Sequence, residues 1–216
     1  AIDKAKSDII IFVHQDIILP MKWSDELIQC LTLLESEDPN WGVLGCYGET
    51  EQGEGRGYLY CAGNNSYIGK YSRMPHKVQT LDEIILIIRK SSGLKFDESL
   101  PHFHLYGTDI CMEARKRGKS SYAMSAFCFH NSKKTVIFPS EFFCCCEFIR
   151  KKWLNELPIH TSCVTITKSR YMFYLRYRLF RPIKYFAYEH FNTRVINGKR
   201  IDNPLEYMNK INAMRD

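Results

Sequence analysis

Asp8-Ile-Ile-Ile-Phe-Val13, followed directly by His14-Gln15-Asp16, is the stretch of sequence that decides the fold. A continuous apolar run of this length between polar residues predicts a strand that is buried on both faces of a sheet. Strands of this kind belong to open α/β sheets, which bind ligands beyond the carboxyl ends of their strands. The polar triplet after Val13 is therefore a candidate binding site, in which the Asp16 carboxylate could hold a hard cation. Taken alone, Asp16 is better explained as an aspartate of a turn or of the segment before a helix.

The residues that follow predict a strand–helix–strand order. Ser24 is a candidate cap for a helix with Asp25 and Glu26 in its first turn. Its apolar stripe consists of Leu27, Ile28, Leu31 and Leu34. Residues 42–46 predict a second buried strand, and this order is typical of an α/β sheet flanked by helices.

The middle of the chain alternates between loop, strand and helix patterns. The Gly-rich residues 48–69 predict a loop or a loose hairpin. Residues 78–89 predict a strand that is interrupted at Asp82 and Glu83. Residues 106–117 predict a helix that ends at Gly118, and residues 121–130 predict another strand. A helix is expected from Pro139 to about residue 157, and a helical tail with a break or kink at Pro182 after residue 169.

The positive charge is concentrated near the carboxyl terminus. The 216 residues carry a net charge of +6, and residues 168–200 hold nine of the 30 basic residues but one of the 24 acidic ones. This segment therefore carries +8 and the rest of the chain −2. A binding partner inferred from the net charge alone would be assigned to the wrong part of the molecule.

The nine cysteines do not form a disulfide pattern. Their number is odd, Cys144, Cys145 and Cys146 are adjacent, and the spacing C-x-x-C is absent. We expect reduced and mostly buried thiols, as in a cytosolic protein. The apolar runs are too short to span a bilayer and no signal peptide is evident, which predicts a cytoplasmic location.

Two further polar residues are candidates for chemistry. Asp109 lies in the first turn of a predicted helix, where a general base could be presented, although the helix dipole alone would favour a carboxylate there. His130 ends a predicted strand, a position that is also common for a purely structural histidine. Each residue has a structural interpretation by itself, and their order along the chain favours a functional one.

That order runs from His14-Gln15-Asp16 through Tyr106-Gly-Thr-Asp109 to His130, and it resembles the C-terminal part of a family 2 glycosyltransferase of the bacterial non-processive type. The resemblance extends from about Ala5 to Trp153. It implies a GT-A fold, a Rossmann-like mixed sheet flanked by helices. It also implies that the N-terminal nucleotide-binding strands of the family are missing from this sequence.

The resemblance implies a role for each matching residue. Asp16 and His130 would bind a divalent metal, Mn²⁺ or Mg²⁺, and Asp109 would be the catalytic base. Donor or acceptor binding would fall to His14, Gln15, Asp82, Thr108 and Trp153. His14 replaces the first acidic residue of the D-x-D motif of the family, and Ile149 replaces the glutamine of Q-x-x-R-W, which argues against a processive polymerase.

The implied reaction is metal-assisted, inverting transfer of a sugar from a nucleotide-sugar donor to a glycan or lipid-linked acceptor. The alternative is a non-catalytic, degenerate relative that binds a membrane or a protein through its tail. The expected organisation is a catalytic part over residues 1–165 and a helical basic and aromatic extension over residues 166–216.

In this extension aromatic residues alternate with Arg176, Arg178, Arg181 and Lys184. Two interpretations are open: contact with an anionic membrane surface, which implies a peripheral location on the inner face of the membrane, or packing on the body or on a second copy in a homo-oligomer. Nucleic acid is disfavoured as a partner because the sequence contains no recognised nucleic-acid-binding motif.

Overall fold

The computed structural model describes residues 2–133, 137–184, 186 and 200–213. These residues form mixed sheets with helices packed against them, which confirms the predicted α/β class. The strands are β1 (Ile9–Val13), β2 (Ile17–Ile18), β3 (Trp41–Gly45), β4 (Tyr47–Glu49), β5 (Gly55–Cys61), β6 (Ser66–Lys70), β7 (His76–Val78), β8 (Thr80–Leu81), β9 (Ile85–Arg89), β10 (Ser120–Ala123), β11 (Cys128–His130), β12 (Ile159–His160) and β13 (Thr165–Ile166). The helices are α1 (Trp23–Glu37), α2 (Tyr106–Lys116), α3 (Ser140–Lys152), α4 (Arg170–Tyr174) and α5 (Pro204–Ala213).

The first sheet has the strand order β1-β9-β3-β10-β7. Strand β3 is parallel to β10 and antiparallel to β9, and it is buried along its whole length, as residues 42–46 predict. Val43, Leu44 and Ile87 are completely buried because the sheet has apolar side chains packed on both of its faces at this point.

Strand β1 occurs where the sequence predicts it, but the prediction that it is buried on both faces is wrong. It pairs with β9 on one side, and among the described residues no strand pairs with its other side. Ile11 and Val13 point to the same face, and 41% and 44% of their surface is exposed. An apolar run alone cannot distinguish a central strand from an edge strand, because the neighbours of a strand are set by the topology.

The second sheet has the order β2-β11-β5-β4-β8, with β6 paired to β5. Of the two predictions for residues 48–69, a loop or a loose hairpin, the structure confirms the hairpin, because β5 and β6 pair antiparallel. Its glycines permit close approach of backbones. A Cβ on Gly57 would lie 2.0 Å from the carbonyl oxygen of Cys46, and one on Gly69 would lie 2.0 Å from that of Gly57.

The helices agree with the sequence in position and differ at their ends. Helix α1 begins at Trp23 without a side-chain cap, so Ser24 does not cap it, and Ile28 of the predicted stripe is 61% exposed. Helix α2 is followed by Gly118 in the left-handed conformation (φ 69°), as predicted. Residues 121–130 contribute to two strands, β10 and β11, which belong to different sheets.

The beginning of the tail packs on the body through its aromatic residues. Phe173 and Tyr177 are buried, and Phe173 lies 6.2 Å from Phe143 of α3, measured between ring centroids. After α4 the backbone forms a π-helical turn over Leu175–Phe180, and helix continues through Pro182 to Lys184. The helix is therefore not broken at Pro182, and the alternative, a kink, stays a prediction. The boundary at residue 165 stays a prediction. The basic and aromatic residues Arg194, Lys199, Tyr185, Tyr188 and Phe191 lie outside the described residues.

All nine cysteines are free, and all except Cys144 and Cys163 are buried, which confirms the prediction for the thiols. In the part of the chain that the structure describes, none of the helices has both the length and the apolar character required to cross a bilayer.

Candidate functional site

Three potential metal ligands meet where the two sheets come together. His14 follows β1 of the first sheet, Asp16 precedes β2 of the second, and His130 ends β11. Pairing of β2 with β11 sets Ile17 opposite His130, and the backbone N–H of Asn131 donates to the carbonyl of Asp16 at 2.9 Å. One ligand atom from each of the three side chains lies within 4.8 Å of the other two.

The geometry of this trio fits a cation. His130 Nε2 lies 3.5 Å from Asp16 Oδ1, the two imidazole rings are 6.4 Å apart between centroids, and all three residues are half-buried. Two imidazoles and a carboxylate form a donor set that divalent transition metals accept. The structure thus brings together the predicted metal residues Asp16 and His130, and it adds His14 as a third donor.

Neighbouring polar groups orient the two histidines. The hydroxyl of Tyr106 lies 3.1 Å from His14 Nε2, and the Cys61 thiol hydrogen-bonds the ring of His130. Burial lowers the pKa of His130, but this hydrogen bond and the Asp16 carboxylate outweigh burial and raise it. Hydrogen bonds from outer groups of this kind fix the orientation of ligating imidazoles.

Arg200 reaches the same site from 184 positions further along the chain. Its guanidinium lies 3.5 Å from Asp16 Oδ2. Two hydrogen bonds hold the adjacent backbone in place: Ile201 N–H donates to Asn131 Oδ1 at 2.8 Å, and Asn131 Nδ2 donates to the Ile201 carbonyl at 3.1 Å. Sequence reasoning missed this residue because it counts Arg200 as one more charge of the basic tail.

A cavity of about 940 Å³ opens beside His14 and Asp16. Aromatic rings form much of its wall, and Phe103, which is 78% exposed, packs on Tyr106 with 4.8 Å between ring centroids. The lining residues are Phe12, Val13, His14, Gln15, Asp16, Glu83, Phe96, Asp97, Glu98, Leu100, His102, Phe103, His104 and Tyr106. The cavity therefore combines the metal ligands with further carboxylates and with flat apolar surfaces.

Glu83 is a second acidic group of the cavity that sequence reasoning did not single out. Burial, together with the charge of neighbouring Asp82, raises the pKa of Glu83 to about 8. Its Oε1 accepts a hydrogen bond of 3.2 Å from the Gly107 N–H at the start of α2. A carboxyl group whose pKa lies near neutrality can exchange protons with a ligand in the cavity.

Asp109, the predicted catalytic base, lies in the first turn of α2 as expected, but it does not line the cavity. Its side chain is 3% exposed, and its oxygens accept hydrogen bonds from Trp153 Nε1 at 2.7 Å and Lys152 Nζ at 2.9 Å. Burial raises the pKa of Asp109, while these two donors act in the opposite direction. Lys152 also bonds Asp97 and Glu113, at 2.7 and 3.1 Å.

The residues predicted to bind donor or acceptor occupy different environments. Gln15 is exposed and lines the cavity. Thr108 and Trp153 are buried and do not line it. Asp82 lies next to Glu83, and its carboxylate accepts hydrogen bonds from the Ile84 N–H and the Ser162 hydroxyl. The structure therefore assembles His14, Gln15 and Asp16 at the cavity and separates them from Thr108 and Trp153.

Comparisons with known proteins give little further information about function. The chain matches no protein-family model. A protein of Fuscovulum blasticum described as "ATP synthase subunits region ORF 6" is 28% identical to it over 134 residues, which cover 59% of this chain and 53% of the relative. The chain thus spans about half the length of this curated relative, whose description names no reaction.

Proposed function

We propose that this chain carries the metal and diphosphate site of a glycosyltransferase. The reaction is inverting transfer of a sugar from a nucleotide-sugar donor to a glycan or lipid-linked acceptor. One observation carries the proposal: His14, Asp16 and His130 converge, and the first two line a large cavity that also holds acidic and aromatic side chains. Support comes from the resemblance of the residue order to family 2 glycosyltransferases and from a mixed sheet compatible with a GT-A fold.

The donor set favours one of the two metals that the resemblance implies. Imidazole nitrogen binds transition-metal ions better than it binds Mg²⁺, which prefers oxygen ligands and retained waters. We therefore favour Mn²⁺ at His14, Asp16 and His130. When bound, such an ion neutralises negative charge on the leaving diphosphate.

The residues of the chain supply the other functions of the site. The guanidinium of Arg200, 3.5 Å from Asp16, is placed to bind diphosphate oxygens at the rim. A general base must accept the proton of the acceptor hydroxyl, and two carboxylates are candidates. Asp109 is the residue that the resemblance assigns, and Glu83 is the one that lines the cavity.

Calorimetry with Mn²⁺ alone, and then with Mn²⁺ and a panel of nucleoside diphosphates, tests the binding part of the proposal. We expect Mn²⁺ binding to the wild type and a loss of at least about tenfold in Asp16→Asn and His130→Ala. His76→Ala, which removes an imidazole from β7, is the matched control and should bind Mn²⁺ normally. Absence of any binding heat in the wild type would refute the glycosyltransferase assignment.

Two isosteric variants identify the base. If Asp109 is the base, Asp109→Asn abolishes sugar transfer while donor binding stays nearly intact, and Glu83→Gln retains activity. The opposite pattern assigns the role to Glu83. Equal losses of donor binding and transfer in both variants would exclude a base role for either residue.

The second candidate function is a non-catalytic module related to these enzymes, which docks through its tail. The observation that favours it is the enclosure of Asp109 by Lys152 and Trp153, which leaves this carboxylate no open face toward the cavity. A protein that binds Mn²⁺ and nucleoside diphosphate but neither transfers nor hydrolyses any nucleotide sugar would support this function.

A further inference from the structure

The helical segment 170–184 is fixed to the body along one side. Phe173 and Tyr177 are buried, and the Tyr177 hydroxyl accepts a hydrogen bond of 2.8 Å from the backbone N–H of Thr165. The ring of Tyr174 stacks on Phe143 of α3 at 5.4 Å. These contacts show that part of the tail packs on the body, which is one of the two interpretations that the sequence leaves open.

The same segment carries apolar side chains that are exposed in the described part of the chain, and we call them its outer face. The exposed fractions are 74% for Tyr171, 58% for Met172, 48% for Leu179, 55% for Phe180 and 55% for Ile183. The π-helical turn over Leu175–Phe180 interrupts α-helical spacing here, so the outer face is defined by exposure and not by periodicity. Several exposed apolar side chains on a short segment that already packs through other residues mark a contact surface.

The charges within this segment all have one sign, and one of its cations, Arg170, pairs with Glu147 of α3 at 3.7 Å. Residues 168–184 contain no Asp or Glu, and their cations are Lys168, Arg170, Arg176, Arg178, Arg181 and Lys184. Arg181 lies over the ring of Phe138 at 3.8 Å and Arg178 over that of Phe143 at 5.7 Å, so both side chains also contact the body. Arg176 and Lys184 are exposed beside the apolar residues.

Charge complementarity selects the occupant of this face. A second copy of the chain would bring the same set of cations against these ones, and like charges repel. An anionic bilayer offers negative headgroups to the cations and an acyl boundary to the aromatic and aliphatic side chains. A face of this composition lies in the membrane interface without crossing the bilayer.

We propose that the outer face of residues 170–184 docks the protein on an anionic lipid surface, with Tyr171, Met172, Leu179, Phe180 and Ile183 inserted at the headgroup boundary. The inference is independent of the proposed reaction, since it rests on the exposed face alone. Sugar transfer could fail in every assay and the docking surface would be unaffected.

Co-sedimentation with vesicles tests this docking. We expect the full chain to bind vesicles of phosphatidylglycerol and phosphatidylcholine, to bind pure phosphatidylcholine far more weakly, and to lose binding as salt increases. The double variant Leu179→Ser/Ile183→Ser should bind the anionic vesicles at least about fivefold more weakly. Because both side chains are half exposed, circular dichroism and the melting temperature should show that the variant folds.

The matched control is Met21→Ser/Ile28→Ser, which removes two exposed apolar side chains, 99% and 61% exposed, from the region of α1. This control should sediment like the wild type. Equal binding to neutral and anionic vesicles, no binding, or equal losses in both double variants would overturn the proposal. A dimer in analytical ultracentrifugation that is lost only in Leu179→Ser/Ile183→Ser would also overturn it and would assign the face to a second copy.

Discussion

Two groups of ionisable side chains lie on either side of the start of α2, and their differences are informative. Around Lys152, three carboxylates share one ammonium at 2.7–3.1 Å, and the Asp109 side chain is almost completely buried. Around Asp16, the two imidazoles and the carboxylate have only the half-exposed guanidinium of Arg200 as a nearby cation among the described residues, at 3.5 Å. The carboxylates of the first group already share a cationic partner in the protein, whereas the second group has donor atoms that could hold an external cation.

This difference separates a structural network from a binding site. Buried charges are tolerated when their partners are fixed, and removal of one partner is then costly. Donor atoms that converge without a buried protein cation could hold an external cation, as we propose for His14, Asp16 and His130. Asp16 follows a strand and Asp109 lies in the first turn of a helix, and both positions are common for carboxylates. Their environments differ because residues distant in sequence pack against Asp109 and leave Asp16 more open.

The largest expected effect is that of Lys152→Met. This variant leaves Asp109 buried with Trp153 as its remaining donor, and we expect the free energy of unfolding to fall by about 3 kcal/mol. Urea denaturation measures the change. Lys151→Met is the matched control, because Lys151 is 73% exposed and lies 4.0 Å from its acidic neighbour, and it should change stability by less than about 0.5 kcal/mol.

A double-mutant cycle sharpens this result. Lys152→Met combined with Asp109→Asn should recover part of the stability, because the uncompensated buried charge is removed. Two outcomes would show that these residues do not form a buried ionic network. One is that the stability losses of Lys152→Met and Asp109→Asn add up in the double variant, and the other is that Lys152→Met and Lys151→Met lose equal stability.

The next effect is the pH dependence of stability that Glu83, which borders the cavity, should cause. Its pKa of about 8 in the folded protein exceeds the ordinary glutamate value of 4.5, so the folded state retains this proton to higher pH than the unfolded chain does. The contribution of Glu83 to stability should therefore be lost as the pH rises from about 5 to 8. Glu83→Gln should remove this contribution.

Urea denaturation at a series of pH values provides the measurement. Glu98→Gln, which changes an exposed carboxyl group of the same cavity, serves as the control and should retain the slope of the wild type. If Glu83→Gln showed the same change of stability with pH as the wild type, Glu83 would be an ordinary ionised carboxylate. It would then resemble the group around Asp16 more than the buried group around Lys152.

The smallest effect is that of Arg200→Ala on ligand binding. Loss of the guanidinium should weaken nucleoside diphosphate binding in the presence of Mn²⁺ by about tenfold, or about 1.4 kcal/mol. Lys210→Ala removes the same charge from the same C-terminal segment, where Lys210 pairs with Glu206 at 2.7 Å, and it should leave affinity unchanged. Equal effects of both variants in calorimetry would indicate a general charge effect with no specific contact by Arg200.

The sequence predicts those parts of the site that depend on local pattern. The apolar run before His14 places Asp16 at a strand end, and the α2 pattern places Asp109 in a first turn. These two placements require only periodicity, strand ends and helix ends. The pairing of Asp16 with His130 as metal ligands comes instead from the resemblance to family 2 glycosyltransferases.

The remaining features depend on contacts between distant residues. Lys152 encloses Asp109 from 43 positions away, and Arg200 reaches Asp16 from 184 positions away. The edge position of β1 likewise follows from topology. No local pattern encodes which partner a side chain meets, and that partner decides whether a carboxylate is structural or available for binding.

The position of His14 after β1, and of Asp16 and His130 on the second sheet, has a mechanical consequence. A cation held by all three would cross-link the two sheets beside the strand whose outer edge has no pairing partner in the described part of the chain. Binding to the folded state alone adds a stabilisation that grows with the logarithm of the free metal concentration. The local opening free energy of β1, measured as amide exchange protection, would then report metal occupancy.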